Sequence, residues 1–137
     1  MRKIIAVLLG LATGLVLMVL LEELAHALLV GEKVDLSTKE KIVAYVQSAP
    51  WYMFACLILI YIITNIVSGF ITGWIGKIDK PIVALIPSLM FLVFGLWDQI
   101  EIPHPVWFTV LSTFIYVPAG LVGYFMYRKK VKKPRFN

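Results

Sequence analysis

Between Lys3 and Glu22 the chain runs through residues 4–21 without a single charge. A helix rises about 1.5 Å per residue and a bilayer's hydrocarbon core is about 30 Å thick, so a run of about 18 apolar residues is long enough to cross it. Residues 51–75 form a second charge-free run, residues 81–97 a shorter third, and residues 105–127 a fourth. The first can continue as a helix to about residue 30, where Gly31 is a plausible stop. Pro50, Pro81 and Pro105 suit the first turn of a helix, where a missing N–H costs nothing. Pro87 and Pro118 fall inside the third and fourth spans and predict kinks there. The expected fold is all-α: one polytopic membrane domain over residues 1–137, with four transmembrane helices at about 4–30, 51–75, 81–97 and 105–127.

Composition agrees. Of the 137 residues 61% are hydrophobic and 15% charged, against about 45–50% and about 25% in soluble domains. That excludes a disordered chain and an ordinary soluble enzyme. One cysteine, Cys56, excludes an intrachain disulfide and any multi-cysteine metal site. A rival reading of the first span is a signal peptide, with Arg2 and Lys3 as its basic start and Ala25-His26-Ala27 as a cleavage site. The apolar stretch is longer than such peptides use, and Glu22-Glu23 stand just before the cut, so the retained helix is the better reading.

Short-loop basic residues set orientation. Arg2 and Lys3, Lys77 and Lys80, and the tail's Arg128, Lys129, Lys130, Lys132, Lys133 and Arg135 share one side; these are ten of the thirteen basic residues. The other side holds Lys33, Lys39 and Lys41 and seven of the eight acids. Both termini are therefore expected in the cytoplasm. The net charge of +5 comes from the tail at 128–137 and predicts contact with anionic lipid headgroups, not nucleic acid. Trp51, Trp97 and Trp107 mark outer helix ends and Trp74 an inner one.

The one long connection, residues 32–50, carries Ser37-Thr38-Lys39-Glu40, an S-x-x-E capping box. Ile42, Val43 and Val46 follow at helical spacing. A short helix at about 38–48 on the outer membrane surface is expected, as a tether or a lid.

In lipid, helices associate by close packing and interhelical hydrogen bonds. Ala6, Gly10 and Gly14 recur every four residues on the first span. Asn65, Gly69, Gly73 and Gly76 mark the second, with Gly95 on the third and Ala119 and Gly123 on the fourth. The first and second spans are the natural pair, with homodimerisation through either G-x-x-x-G as the alternative. Asn65, mid-span, needs a partner for its amide, and Ser68 and Thr72 continue its side of the helix.

Glu22, Glu23, His26, Asp98, Glu101 and His104 fall on the outer side and include both histidines. Glu22 and His26, four apart, share a helical face. Glu23 and His26 have the E-x-x-H spacing found in bundle metal sites. Asp98 and Glu101 are expected just after the third span. Imidazole and carboxylate can bind a divalent metal, relay protons, or pin helices together. The sequence requires no cofactor, and no catalytic signature is present.

The Glu22-Glu23-Leu24-Ala25-His26 helix end, the stretch Ser68-Gly69-Phe70-Ile71-Thr72-Gly73-Trp74 and the segment Ile102-Pro103-His104-Pro105-Val106-Trp107-Phe108 together resemble a group of small, uncharacterised four-helix bacterial inner-membrane proteins. The resemblance covers nearly the whole chain. It implies four spans and a bacterial inner membrane, and it brings no activity. Where that group often has Ala-Ala-Arg after its glycine-rich stretch, Trp74-Ile75-Gly76-Lys77 stands here. The expected role is a non-enzymatic interaction or accessory module. The alternatives are a small oligomeric transporter or proton-coupled carrier, and a metal-dependent membrane enzyme at the outer cluster.

Overall fold

The computed structural model describes residues 1–132. Six helices follow one another: α1 (Arg2–Leu29), α2 (Lys39–Ser48), α3 (Trp51–Gly76), α4 (Pro81–Ala84), α5 (Ile86–Glu101) and α6 (Val106–Lys132). Four are long and apolar enough to cross a membrane: α1, α3, α4 with α5, and α6. Lys133 and Arg135 of the basic tail lie outside the described residues.

Local chemistry accounts for most helix ends. Gly31 takes a positive φ of 70° after α1. α3 ends with Lys77 left-handed at φ 48° while Ile78 N–H donates to Gly73 O over 3.1 Å, which satisfies an orphan carbonyl. α4 and α5 are separated at Leu85, because Pro87 has no N–H to give Val83. α6 continues through Pro118. Two boundaries differ from expectation. α5 continues to Glu101, so Asp98 and Glu101 stand in its last turn and not after it. Ser37 does not cap α2. Thr38 does, accepting from Lys41 N–H at 3.4 Å, which puts Glu40 one position too early to close the box. Ser37 N–H instead donates to Asp35 Oδ1.

α3 is the central helix, packed against α1 on one side and α6 on another, while α5 packs on α6 and touches α1 and α3. α1 and α3 do pair, but their glycine rows do not face each other. Gly10 and Gly14 meet Ser68 and Thr72 of α3 and Phe91 of α5. Gly69 and Gly73 turn to α6, where a methyl group on Gly69 would strike the Gly120 carbonyl and one on Gly73 would lie 2.8 Å from the Tyr127 ring. Each residue turns a helix by about 100°, so the Ser68/Thr72 row and the Gly69/Gly73 row serve different neighbours. Gly123 likewise lets the α6 backbone onto Ile66 and Phe70 of α3. Gly76 packs beside Ile78 and the buried Ala6. Asn65 is buried, and its amide donates within the helix to Tyr61 O at 2.8 Å.

Much of the remaining apolar surface faces outward. Leu8, Val16, Leu20, Leu59, Val93 and Phe114 are all exposed, as lipid-facing side chains are in a bundle held by packing.

Arg2 Nε donates to Ile75 O, and Arg128 pairs with Asp79 at 2.9 Å, so the chain's start and the end of α6 gather at one end of the bundle. The opposite, distal end carries α2.

Candidate functional site at the distal end

The third span has 21 residues against 26 to 28 in the others, about 31 Å against about 39–42 Å. Its last turn stops short at the distal end. Gln99 Nε2 donates to Ser112 Oγ at 2.8 Å, level with a residue six positions into α6. The gap beyond that turn is bounded by α1, α3, the last turn of α5, the 102–105 segment and Tyr45 and Val46 of α2. It holds a half-open cavity of about 270 Å³.

Four of the six outer-cluster residues line this cavity: Glu22 and His26 from α1, Asp98 from α5, and His104 from the loop before α6. The i, i+4 spacing on α1 puts the first two on one side, as the sequence indicated. The other two point elsewhere. Glu23 is exposed on an adjoining groove beside the segment that follows α1, which Glu22, His26 and Lys33 also line. Glu101 pairs with Lys39 of α2 at 2.6 Å, with both side chains about half exposed.

His104 is held firmly. Its Nδ1 lies 2.6 Å from Ile102 O, and since a carbonyl can only accept, Nδ1 carries the proton. Its ring stacks on Phe108 with centroids 5.3 Å apart. His26 lies 6.0 Å from the Tyr45 ring, and its Nε2 is buried without a hydrogen-bond partner. Tyr45 spans from α2 to α3, where its hydroxyl makes a long contact to Met53 Sδ at 3.9 Å. Burial pushes the Tyr45 phenol up from its ordinary value.

Neither Glu22 nor Asp98 is in an ion pair among the described residues; the three pairs present are Lys39–Glu101, Lys41–Asp35 and Arg128–Asp79. No lysine or arginine lines the cavity. Among the described residues no three His, Cys, Asp or Glu side chains are placed to hold a metal ion.

A second cavity of about 300 Å³ shares Glu22, Tyr61 and Asp98 with the first and runs on to Phe91, Gly95 and Tyr116. Tyr61 and Tyr116 stack at 5.5 Å, and Gly95 makes room for the Tyr116 hydroxyl, which would lie 2.6 Å from an added methyl group. The helices close nearer the termini, where Gly69 meets the Gly120 carbonyl and Gly120 meets Ser88.

Sequence reasoning missed Tyr45, Tyr61, Tyr116 and Cys56 as cavity residues. The signals were slight: Tyr61 stands one helical turn before Asn65, and Cys56 is the sole cysteine. Tyr45 sits among the apolar positions of α2 but reads there as ordinary amphipathic spacing.

Length and composition of its helices define the class: a multi-pass helical membrane protein. No family model, curated protein or solved structure matches the chain.

Proposed function

We propose that this chain is a non-enzymatic binding module of the bacterial inner membrane, with both termini cytoplasmic and the distal cavity open to the outer side. One observation carries the reading. Two carboxylates without a basic partner line a cavity that the short third span and α2 create together. Glu22 is half-buried and Asp98 exposed in the bundle, and carboxylates carried on a membrane-spanning helix without a basic partner mark a working site more often than a packing solution. The basic-residue asymmetry supports the orientation, and the exposed Lys129, Lys130 and Lys132 suit anionic headgroups on the cytoplasmic face.

The carrier reading has one observation in its favour, the inward run of the second cavity to Tyr116. The Gly69–Gly120–Ser88 closure opposes a path through a single chain, which leaves binding as the stronger reading. The glycine rows are engaged within the chain, so a protein partner would use other surfaces.

Cys56 lines the cavity and is the only thiol, so it reports on the reading without mutagenesis. A membrane-impermeant maleimide should label Cys56 in right-side-out vesicles and spare it in inside-out ones. Labelling from the cytoplasmic side alone, or from neither side, would overturn the reading.

A further inference from the structure

We infer that the distal cavity binds a monovalent organic cation, an amine or quaternary ammonium with an apolar or aromatic body. The inference rests on the cavity being a ligand site open to the outside.

Three features of the wall select this chemistry. The first is charge: Glu22 and Asp98 supply it, and no lysine or arginine lines this cavity, although Lys33 lines the adjoining groove that Glu22 shares. An anion would meet only repulsion. The second is the aromatic rim. Tyr45 and Tyr61 line the same space, and aromatic faces attract cations through their quadrupole most strongly when both are shielded from water. The third is the apolar remainder, with Leu29, Val46 and Leu57 between the polar groups. A hydrated inorganic ion gains nothing from such a wall, whereas an alkyl or aryl body does. A compact metal is further disfavoured because no three ligating side chains converge among the described residues.

The size is compatible as well. About 270 Å³ falls just below the range of drug-sized pockets, about 300–1,000 Å³, which suits a small cation. Tyr45 belongs to α2, which stands off the bundle and reaches it through side chains. It is the wall residue best placed to move as a ligand enters.

The test uses the purified full chain in detergent, with benzyltrimethylammonium as the probe and benzenesulfonate as its charge-reversed counterpart. Equilibrium dialysis should show saturable binding of the cation and none of the sulfonate. Benzyltrimethylammonium should also slow maleimide labelling of Cys56. Glu22→Gln with Asp98→Asn should weaken cation binding at least tenfold. Tyr45→Ala should weaken it severalfold, and because Tyr45 lies outside the spans this variant keeps the test informative if the carboxylate variant misfolds. Equal binding of both probes, or cation binding unchanged by Tyr45→Ala and by the carboxylate variant, would overturn the inference. Saturable binding of calcium or zinc with no binding of the organic cation would also overturn it. If Cys56 labels from outside yet the cation neither binds nor protects, the ligand class fails while the cavity reading stands. If Cys56 does not label from outside, the cavity reading itself fails.

Discussion

Ser68 Oγ donates to the Gly10 carbonyl oxygen across 2.8 Å, joining α3 to α1 where both residues are buried. The contact needs both partners to be small. A methyl group on Gly10 would collide with Thr72 Oγ1, and Thr72 is itself fixed by donating to Ser68 O at 2.8 Å. A row of hydroxyls on one helix thus fits a row of glycines on the other.

Substitutions at the glycines should therefore act on folding, in an order set by what the new atom meets. Gly69→Ala meets the Gly120 backbone, which cannot rotate away. Gly10→Ala meets the Thr72 hydroxyl, which can turn aside only by giving up its bond to Ser68 O. Overpacking of this kind costs about 1–3 kcal/mol, and Gly69→Ala should lie towards the top of that range with Gly10→Ala below it. Thermal unfolding in detergent, followed by tryptophan fluorescence, would rank them. An equal or reversed order would contradict the geometry.

Ser68→Ala should be milder. Interhelical hydrogen bonds in membranes average about 0.6 kcal/mol, and the loss should stay near that figure because the packing is retained. The same unfolding assay applies, and a loss as large as that of Gly69→Ala would mean the bond does more than the structure indicates.

At the end near the termini, two interactions of Asp79 can be compared. Its carboxylate pairs with Arg128, but the Asp79 side chain is 87% exposed, and exposed pairs contribute about 0–1 kcal/mol. Its backbone carbonyl accepts from the hydroxyl of Tyr124, which is buried in the cluster of Ile78, Ala84 and Tyr127. Tyr124→Phe should cost about 1 kcal/mol, and Asp79→Asn less. Unfolding midpoints of the two variants, measured side by side, would decide it.

One carboxylate outside the spans has a defined pH response. The Lys41 ammonium, with help from Ser37, holds the Asp35 carboxyl below its ordinary value of 3.8. A depressed folded value means the pairing favours the folded loop above pH 3.8 and is lost as pH falls through the lower folded value. A carbon-13 titration of the Asp35 carboxyl should show this depression, and Lys41→Met should raise the midpoint towards the ordinary value. An unchanged midpoint would mean the pair does not form in solution.

The four spans were legible because crossing a membrane is a local demand. Each stretch must be apolar over about 30 Å, and charge-free runs state this residue by residue. The stop at Gly31 was legible for the same reason, since the need for a positive φ is written in one residue. Where a helix ends against its surroundings, local signals failed. Asp98 and Glu101 read as a boundary but are carried within α5. Thr38 took the cap from Ser37 by one position.

The sequence by itself determined the number of helices long and apolar enough to span and their helical character. The tertiary structure alone decided which face of α3 meets which neighbour, because a single-residue offset turns that face by about 100° and only backbone fit selects between the rows. It also decided the site. Six acids and histidines share one end in the sequence, yet the cavity takes Glu22, His26, Asp98 and His104 and leaves out Glu23 and Glu101. It adds Tyr45 and Tyr61, drawn from separate helices. Which side chains share a cavity depends on where a short helix stops and on which α2 side chains reach it, and neither is a property of any one segment.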